Sequence, residues 1–227
     1  MSNIYYMASQ TVENYIKTVY QLAESAGPTI STSLISDKLK TTSASVTDML
    51  RKLASLSLIH YEKYRGVQLT AEGKSMAVDL LRKHRLWETF LYEKLKIRWD
   101  LVHEIAEQLE HVSAPGLIEQ LDEFLAHPKF DPHGDPIPDA RGRFTLRNQV
   151  LLNTLEAGDK GTIVGVKTQE PEFLIYLQAM GLIIQSSLQV KDKMNYDGSM
   201  KIIKDDGEEI QISLNTAQNI FIRKHPE

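Results

Sequence analysis

The sequence predicts a mostly α-helical protein with small β parts, arranged as three consecutive modules. Two patterns and one ordering predict this. Through the first 126 positions apolar residues recur mainly at three- and four-residue spacing, the helical period. Between 127 and 144 the chain carries Pro128, Pro132, Pro136, Pro138, Gly134 and Gly142, and beyond it short apolar alternations alternate with glycine turns. At the N-terminal end the order is helix, helix, turn, helix, hairpin, which is a winged helix-turn-helix.

The elements follow in order. Val12, Tyr15, Ile16, Val19, Tyr20, Leu22 and Ala23 give a helix over about 11–25, ended by Gly27-Pro28. A short helix covers 33–39, the turn Lys40-Thr41-Thr42 follows, and a third helix runs from Ser43 to about Leu56. Two strand-like runs, 58–61 and 67–70, are joined by Glu62-Lys63-Tyr64-Arg65-Gly66. Residues 71–112 read as helical with a break near Trp99-Asp100, and a shorter helix covers 116–126. The proline-bearing stretch 127–144 reads as a linker or extended loop, because proline cannot sit inside a helix or a central strand. Strands are expected at 161–167, 188–191, 200–203, 209–213 and 220–223, with Asp197-Gly198 and Asp206-Gly207 as turns and one helix at 172–180. Five short strands of this kind make a small barrel. The expected boundaries are 1–72, 73–140 and 146–227.

Composition is that of an ordinary globular protein: 227 residues, 42% hydrophobic and 25% charged, with no cysteine. No apolar run approaches the roughly 20 residues needed to span a membrane, and the first residues lack a basic-then-apolar leader, so a cytoplasmic protein with no membrane partner is expected. Net charge is −4, but residues 1–85 carry +4 and the remainder −8, a basic module on an acidic body.

The basic module has the layout of a reader of double-stranded DNA. Val46, Leu50 and Leu53 turn inward from the third helix, which leaves Thr42, Ala44, Ser45, Thr47 and Asp48 exposed at its N-terminal end. Small polar side chains there permit close approach to base edges, and the free N–H groups of a helix N-terminus attract phosphate. Arg51 and Lys52 can neutralise phosphates further along, and Lys63, Tyr64 and Arg65 stand at the wing tip. Residues 40–85 hold nine Lys and Arg against four acids, which favours nucleic acid over a protein-interaction role for the winged helix.

The second module carries a different chemistry. His84 and Glu88 are an i,i+4 pair, and His103, Glu107 and His111 form an i,i+4,i+8 stripe with Glu110 beside it. At about 100° per residue these four fall within a sector of about 100°, opposite the apolar stripe Val102, Ile105, Ala106 and Leu109. Imidazoles and carboxylates on one face can converge on a divalent cation; the same residues on a polar face are more often solvated. Without cysteine, thiolate zinc and iron–sulfur sites are excluded, and the mixed set suits Mn²⁺ or Fe²⁺, with Zn²⁺, Co²⁺ and Ni²⁺ as competitors.

These segments resemble the metal-dependent repressors of the diphtheria toxin repressor and manganese transport regulator type. The resemblance is carried by Arg82-Lys83-His84-Arg85-Leu86, His103-Glu104-x-Ala106-Glu107-x-x-Glu110-His111, the wing Glu62 to Gly66, and Pro132-His133-Gly134-x-Pro136-Ile137-Pro138. It covers the whole chain, and the tail resembles the SH3-like (FeoA-like) third domain of longer members. It implies a homodimer that binds palindromic operators when Mn²⁺ or Fe²⁺ is present, with Zn²⁺, Co²⁺, Ni²⁺ or Cd²⁺ able to substitute, and no organic cofactor. It implies a primary site of Asn14, Glu107, Glu110 and His111, and a second of His84, Glu88 and His103 joined by an acid of the third domain, here Glu170 or Glu172. Two departures stand out. Glu107 replaces the cysteine of iron-responsive members, a harder ligand that favours manganese. Asn14 replaces Asp or Met, and Lys17 stands where some manganese regulators place a glutamate. The expected function is therefore a metal-activated repressor of metal-uptake genes and not an enzyme. A metal-independent, ligand-sensing winged-helix regulator is the alternative, with a metallohydrolase using Glu107 or Glu110 as base a more distant one.

Overall fold

The computed structural model describes residues 9–62 and 65–226. Helix α1 (Gln10–Ala26) is followed by α2 (Thr32–Lys38), α3 (Ser43–Ser55), strands β1 (Ile59–Glu62) and β2 (Gly66–Leu69), and the long helix α4 (Ala71–Glu93). Then come α5 (Val102–Leu109) and α6 (Leu117–Phe124). The tail holds β3 (Val150–Leu151), a 3-10 turn, β4 (Lys160–Val166), α7 (Pro171–Ala179), β5 (Ser187–Lys193), β6 (Met200–Lys204), β7 (Glu209–Ile212), α8 (Leu214–Ala217) and β8 (Ile220–Lys224). The fold divides into two compact units whose segments interleave along the chain.

The first unit comprises Met1–His84, Glu107–Leu121 and Pro138–Phe144. Its core is a run of residues with no solvent exposure, Ile16, Ile30, Ile35, Val46, Leu50, Leu53 and Val67, drawn from α1, α2, α3 and the wing. Each short helix begins at a capping hydroxyl: Ser31 accepts from Leu34 N–H at 3.3 Å, and Thr42 from Ser45 N–H at 3.2 Å. Such a cap is worth about 1 kcal/mol, and it fixes where the chain enters α3. Strands β1 and β2 pair antiparallel, and Ile30 extends this wing through two reciprocal backbone bonds of 2.9 Å with Val67. Gly66 makes that approach possible: its φ is +97°, and a Cβ there would lie 2.8 Å from the Ile30 carbonyl oxygen.

The second unit comprises Arg85–Ala106, Asp122–Ile137 and Thr145–Glu227. Its sheet has six antiparallel strands in the order β3-β8-β4-β5-β6-β7, one more than the sequence pattern shows, because β3 is only two residues long. Register shifts between Ile163 and Gly165 and between Val190 and Asp192 bend the sheet. Leu152, Ile163, Leu177, Val190, Ile202, Ile220 and Ile222 are fully buried beneath it, with Leu174 of α7.

The proline-bearing stretch is not a solvated linker. Phe130 and Pro136 form an isolated bridge, Ile137 N–H donates to Lys129 O at 2.9 Å, and Asp131, His133 and Ile137 are buried. The prolines fix the backbone of a tight loop whose interior is polar. Residues 110–116 are also not helical: α5 stops at Leu109, so Glu110 and His111 sit in a turn and the expected stripe is broken.

Candidate metal centres and nucleic-acid interface

The six imidazole and carboxylate side chains that the sequence places on common faces divide between the two units. Glu107, Glu110 and His111 belong to the first, and His103 to the second. Glu88 and His103 come together, with His103 Nδ1 3.0 Å from Glu88 Oε1, and His84 stands one helical turn before Glu88 on α4.

In the first unit a polar cluster fastens α1 to the turn after α5. Glu110 is fully buried; both its oxygens accept from Lys17 Nζ, at 2.6 and 2.8 Å, and Oε2 also accepts from His84 Nδ1 at 2.6 Å. Lys17 Nζ lies 3.7 Å from Glu107 Oε1. His111 Nδ1 lies 2.5 Å from Glu13 Oε2. Burial works against the Glu110 charge, but the His84 hydrogen bond and the Lys17 charge outweigh it and hold the carboxyl below its ordinary range. Asn14 is exposed, and the α1 residues that reach this cluster are Glu13 and Lys17. Among the described residues, no three donors of this cluster lie mutually within 4.8 Å. With the Lys17 ammonium on both oxygens of the central carboxylate, the arrangement does not fit a divalent ion.

The second unit contains a set that does fit one. Ligand atoms of Glu88, Asp131 and His133 lie within 4.8 Å of one another, and all three residues are buried. Asp131 Oδ1 accepts from the backbone N–H of His133 at 2.8 Å and of Asp135 at 3.0 Å, which closes the loop around the carboxylate. Its Oδ2 has no hydrogen-bond partner, and neither has Nδ1 of His133. His133 Nε2 lies 3.2 Å from Trp99 O, a carbonyl that can only accept, so Nε2 carries the proton. A neutral ring then turns the Nδ1 lone pair toward Glu88 Oε1, 3.6 Å away. Two acceptors facing each other in a buried space call for a proton or a cation between them. Burial, Asp135 and Glu88 push the Asp131 carboxyl up to about 8. For His133, burial lowers the pKa, but the bond and charge of Glu88 and the charge of Asp131 overcome it and raise it. Two carboxylates and an imidazole suit Mn²⁺, Fe²⁺ or Zn²⁺.

The loop that carries Asp131 and His133 is stitched to the sheet. His133 O accepts from Val166 N–H at 2.9 Å, and Arg147 donates to Gly134 O at 2.8 Å and Val164 O at 2.5 Å. Gly134 has φ +89°, and a Cβ there would stand 2.1 Å from Val164 O. The tail acids expected at this site, Glu170 and Glu172, are exposed at the start of α7, and neither side chain joins it. Gln169, one residue earlier, donates to Asp135 at 3.0 Å.

On the DNA-reading surface, Thr42, Ala44, Ser45, Asp48, Arg51 and Lys52 are exposed and Thr47 is half-buried. Thr42 and Ser45 share a 2.9 Å hydroxyl contact, Thr47 donates to Ser43 O at 2.8 Å, and Arg51 pairs with Asp48 at 2.9 Å. Arg65 is exposed and pairs with Glu62; Lys63 and Tyr64 lie outside the described residues.

Comparison with known proteins accounts for this combination. Residues 7–67 match the iron dependent repressor N-terminal DNA binding domain, 70–139 the iron dependent repressor metal binding and dimerisation domain, and 150–224 the FeoA domain. A solved structure described as a manganese-dependent transcriptional repressor in complex with manganese superposes with a TM-score of 0.80 at 31% identity, over 93% of this chain and 98% of that one. The chain belongs to the iron-dependent repressor family. The manganese regulator SloR is similar over 94% of this chain and 98% of its own, with 32% identity and a TM-score of 0.71. Among curated members of the iron-dependent repressor family, the diphtheria toxin repressor of Corynebacterium jeikeium is 32% identical over 128 residues, 56% of this chain and 53% of that protein. The iron-dependent repressor of Mycobacterium leprae is 32% identical over 56% of this chain and 55% of its own length. The chain thus spans about half the length of the curated relatives it matches.

Two placements run against the residue-by-residue resemblance, and both left a trace in the sequence. On α1 the apolar residues Val12, Ile16, Val19 and Tyr20 define the inner face; Glu13 lies about 100° from Val12, whereas Asn14 lies about 200° away. Helical period therefore favours Glu13. Asp131 and His133 were missed as candidate ligands because they lie over forty residues from Glu88, in a stretch whose prolines read as a linker. Two potential chelators one residue apart inside that stretch were the available clue.

Proposed function

We propose that this member of the family is a metal-activated transcriptional repressor, a cytoplasmic homodimer that binds operator DNA and responds to manganese or iron to control metal uptake. The observation that supports it best is the buried Glu88, Asp131 and His133 set, in which Asp131 Oδ2 and His133 Nδ1 make no hydrogen bond, in a chain that also carries an exposed recognition-helix N-terminus. Glu88, Asp131 and His133, with the more exposed His103 at the edge, would hold the ion. When bound, it would add positive charge to two buried carboxylates and an imidazole, beside the Arg85 guanidinium 3.6 Å from Asp131 Oδ2. The chain's own residues prepare this place: the His133 and Asp135 N–H groups hold Asp131 by one oxygen, and Trp99 O sets the tautomer of His133.

Thr42 to Asp48 would face base edges in the major groove, and Arg51, Lys52 and the wing would face phosphates. In a symmetric dimer two such helices meet half-sites about 34 Å apart. By linkage, operator DNA must tighten metal binding by the factor that metal tightens DNA binding. The hydrolase reading loses one of its two candidate bases, because Glu110 is buried and its oxygens are taken by Lys17 and His84.

The test is a titration of a duplex, selected from a random pool by the Mn²⁺-loaded protein, with and without chelator. Mn²⁺ is expected to tighten binding at least tenfold, about 1.4 kcal/mol. Equal affinity in excess chelator refutes the proposal.

A further inference from the structure

We infer that the ammonium of Lys17 is the resident cation of the Glu13, Glu107, Glu110 and His111 cluster, so that α1 is fastened without a divalent ion and metal enters this protein around Glu88, with Asp131 and His133, and not at Glu110. The second half rests on the metal-responsive reading above; the first half stands on the geometry of the first unit alone.

Four observations carry it. The Lys17 side chain is 7% exposed and Glu110 is fully buried, so their contact is no surface pair. Nζ reaches both oxygens of Glu110, at 2.6 and 2.8 Å, and His84 takes a further position on Oε2, which leaves little of that carboxylate for another cation. His111 turns Nδ1 to Glu13 and keeps Nε2 3.8 Å from Glu110 Oε1, so it is engaged from α1 as well. Finally, Lys17 Nζ also lies 3.7 Å from Glu107 Oε1, so one ammonium faces two of the three carboxylates of the cluster. A divalent ion on Glu110 would stand a few ångströms from a buried ammonium, where water screens their repulsion poorly. The sequence origin is plain: Glu13 and Lys17 are an i,i+4 pair on α1, so one helix turn delivers both an acid and a base to the same cluster.

Mn²⁺ stoichiometry decides the matter, measured by equilibrium dialysis with elemental analysis on the full-length protein. The expected values are one ion per protomer for the parent, one for Glu110→Gln, two for Lys17→Met and none for His133→Ala. A parent that binds two ions and loses one in Glu110→Gln overturns the inference while leaving the metal-responsive reading intact. A parent that binds none, with operator affinity indifferent to metal, overturns that reading instead. Amide hydrogen exchange in residues 12–20 tests the fastening separately, even if Lys17→Met folds poorly. In chelator the parent should exchange there as slowly as with Mn²⁺, and Lys17→Met at least tenfold faster. A parent whose α1 amides slow tenfold on adding Mn²⁺, or a Lys17→Met protein that keeps both one ion and parental exchange, refutes the role given to Lys17.

Discussion

Replacing Glu110 by alanine should be among the most damaging single changes in the first unit. The side chain accepts two short bonds from Lys17 and one from His84 and has no solvent exposure. Its loss leaves an ammonium with a 7% exposed side chain opposite only the half-exposed Glu107, 3.7 Å away. Breaking a buried pair from one side costs about 3–5 kcal/mol, because the remaining charge is neither hydrated nor matched. Removing both partners is another matter: Lys17→Met with Glu110→Leu replaces the pair by apolar groups of similar size, a change that is often neutral or stabilising by about 1–4 kcal/mol. The double-mutant cycle should therefore show coupling of about 3 kcal/mol, at the upper end of what contacting residues display. The assay is urea unfolding of metal-free protein at one fixed protomer concentration, since the proposed dimerisation would link stability to concentration. A Glu110→Ala loss below about 1 kcal/mol would show that Lys17 behaves as a surface cation and would refute the burial argument.

Further outcomes follow from the same geometry. Asp131→Asn and His133→Ala should each weaken Mn²⁺ binding at least 100-fold, about 2.7 kcal/mol, in calorimetric titration, whereas Glu170→Ala should leave it unchanged. Stability should fall on acidification below about 4.5, the ordinary value for Glu110: its folded pKa is depressed, so its contribution is full above the unfolded pKa and disappears as pH drops through the folded one. Urea midpoints measured against pH should lose that slope in Glu110→Gln. Arg51→Ala and Arg65→Ala should weaken binding on all duplexes and each reduce the salt slope by about one, while Ser45→Ala should alter sequence choice.

Much of the fold was legible because local rules and tertiary structure agree. Gly27-Pro28 ends α1 where expected, the Thr42 hydroxyl starts α3, and the wing strands fall within a residue or so of their apolar runs. The site was legible by residue type more than by arrangement. Glu88 and His103 meet, as their faces suggest, but α5 ends at Leu109, and no local pattern announces that Glu110 leaves the helix to meet Lys17 ninety-three residues away. Asp131 and His133 look like loop residues until the bonds to Val164 and Val166 draw the loop inward. Contacts of that range depend on how the chain closes, and periodicity carries no information about closure.

The stitching of the 131–135 loop to β4 has an evolutionary consequence. Glu88, Asp131 and His133 are all encoded before residue 134, yet the groups that hold the loop in place, Arg147 and the backbone of Val164 and Val166, come after it. A frameshift or stop codon in the last third of the gene would preserve the candidate ligands Glu88, Asp131 and His133 and still remove Val164 and Val166, which hold their loop. Any side chain larger than hydrogen at Gly134, where the loop and the sheet touch, should disrupt this stitching.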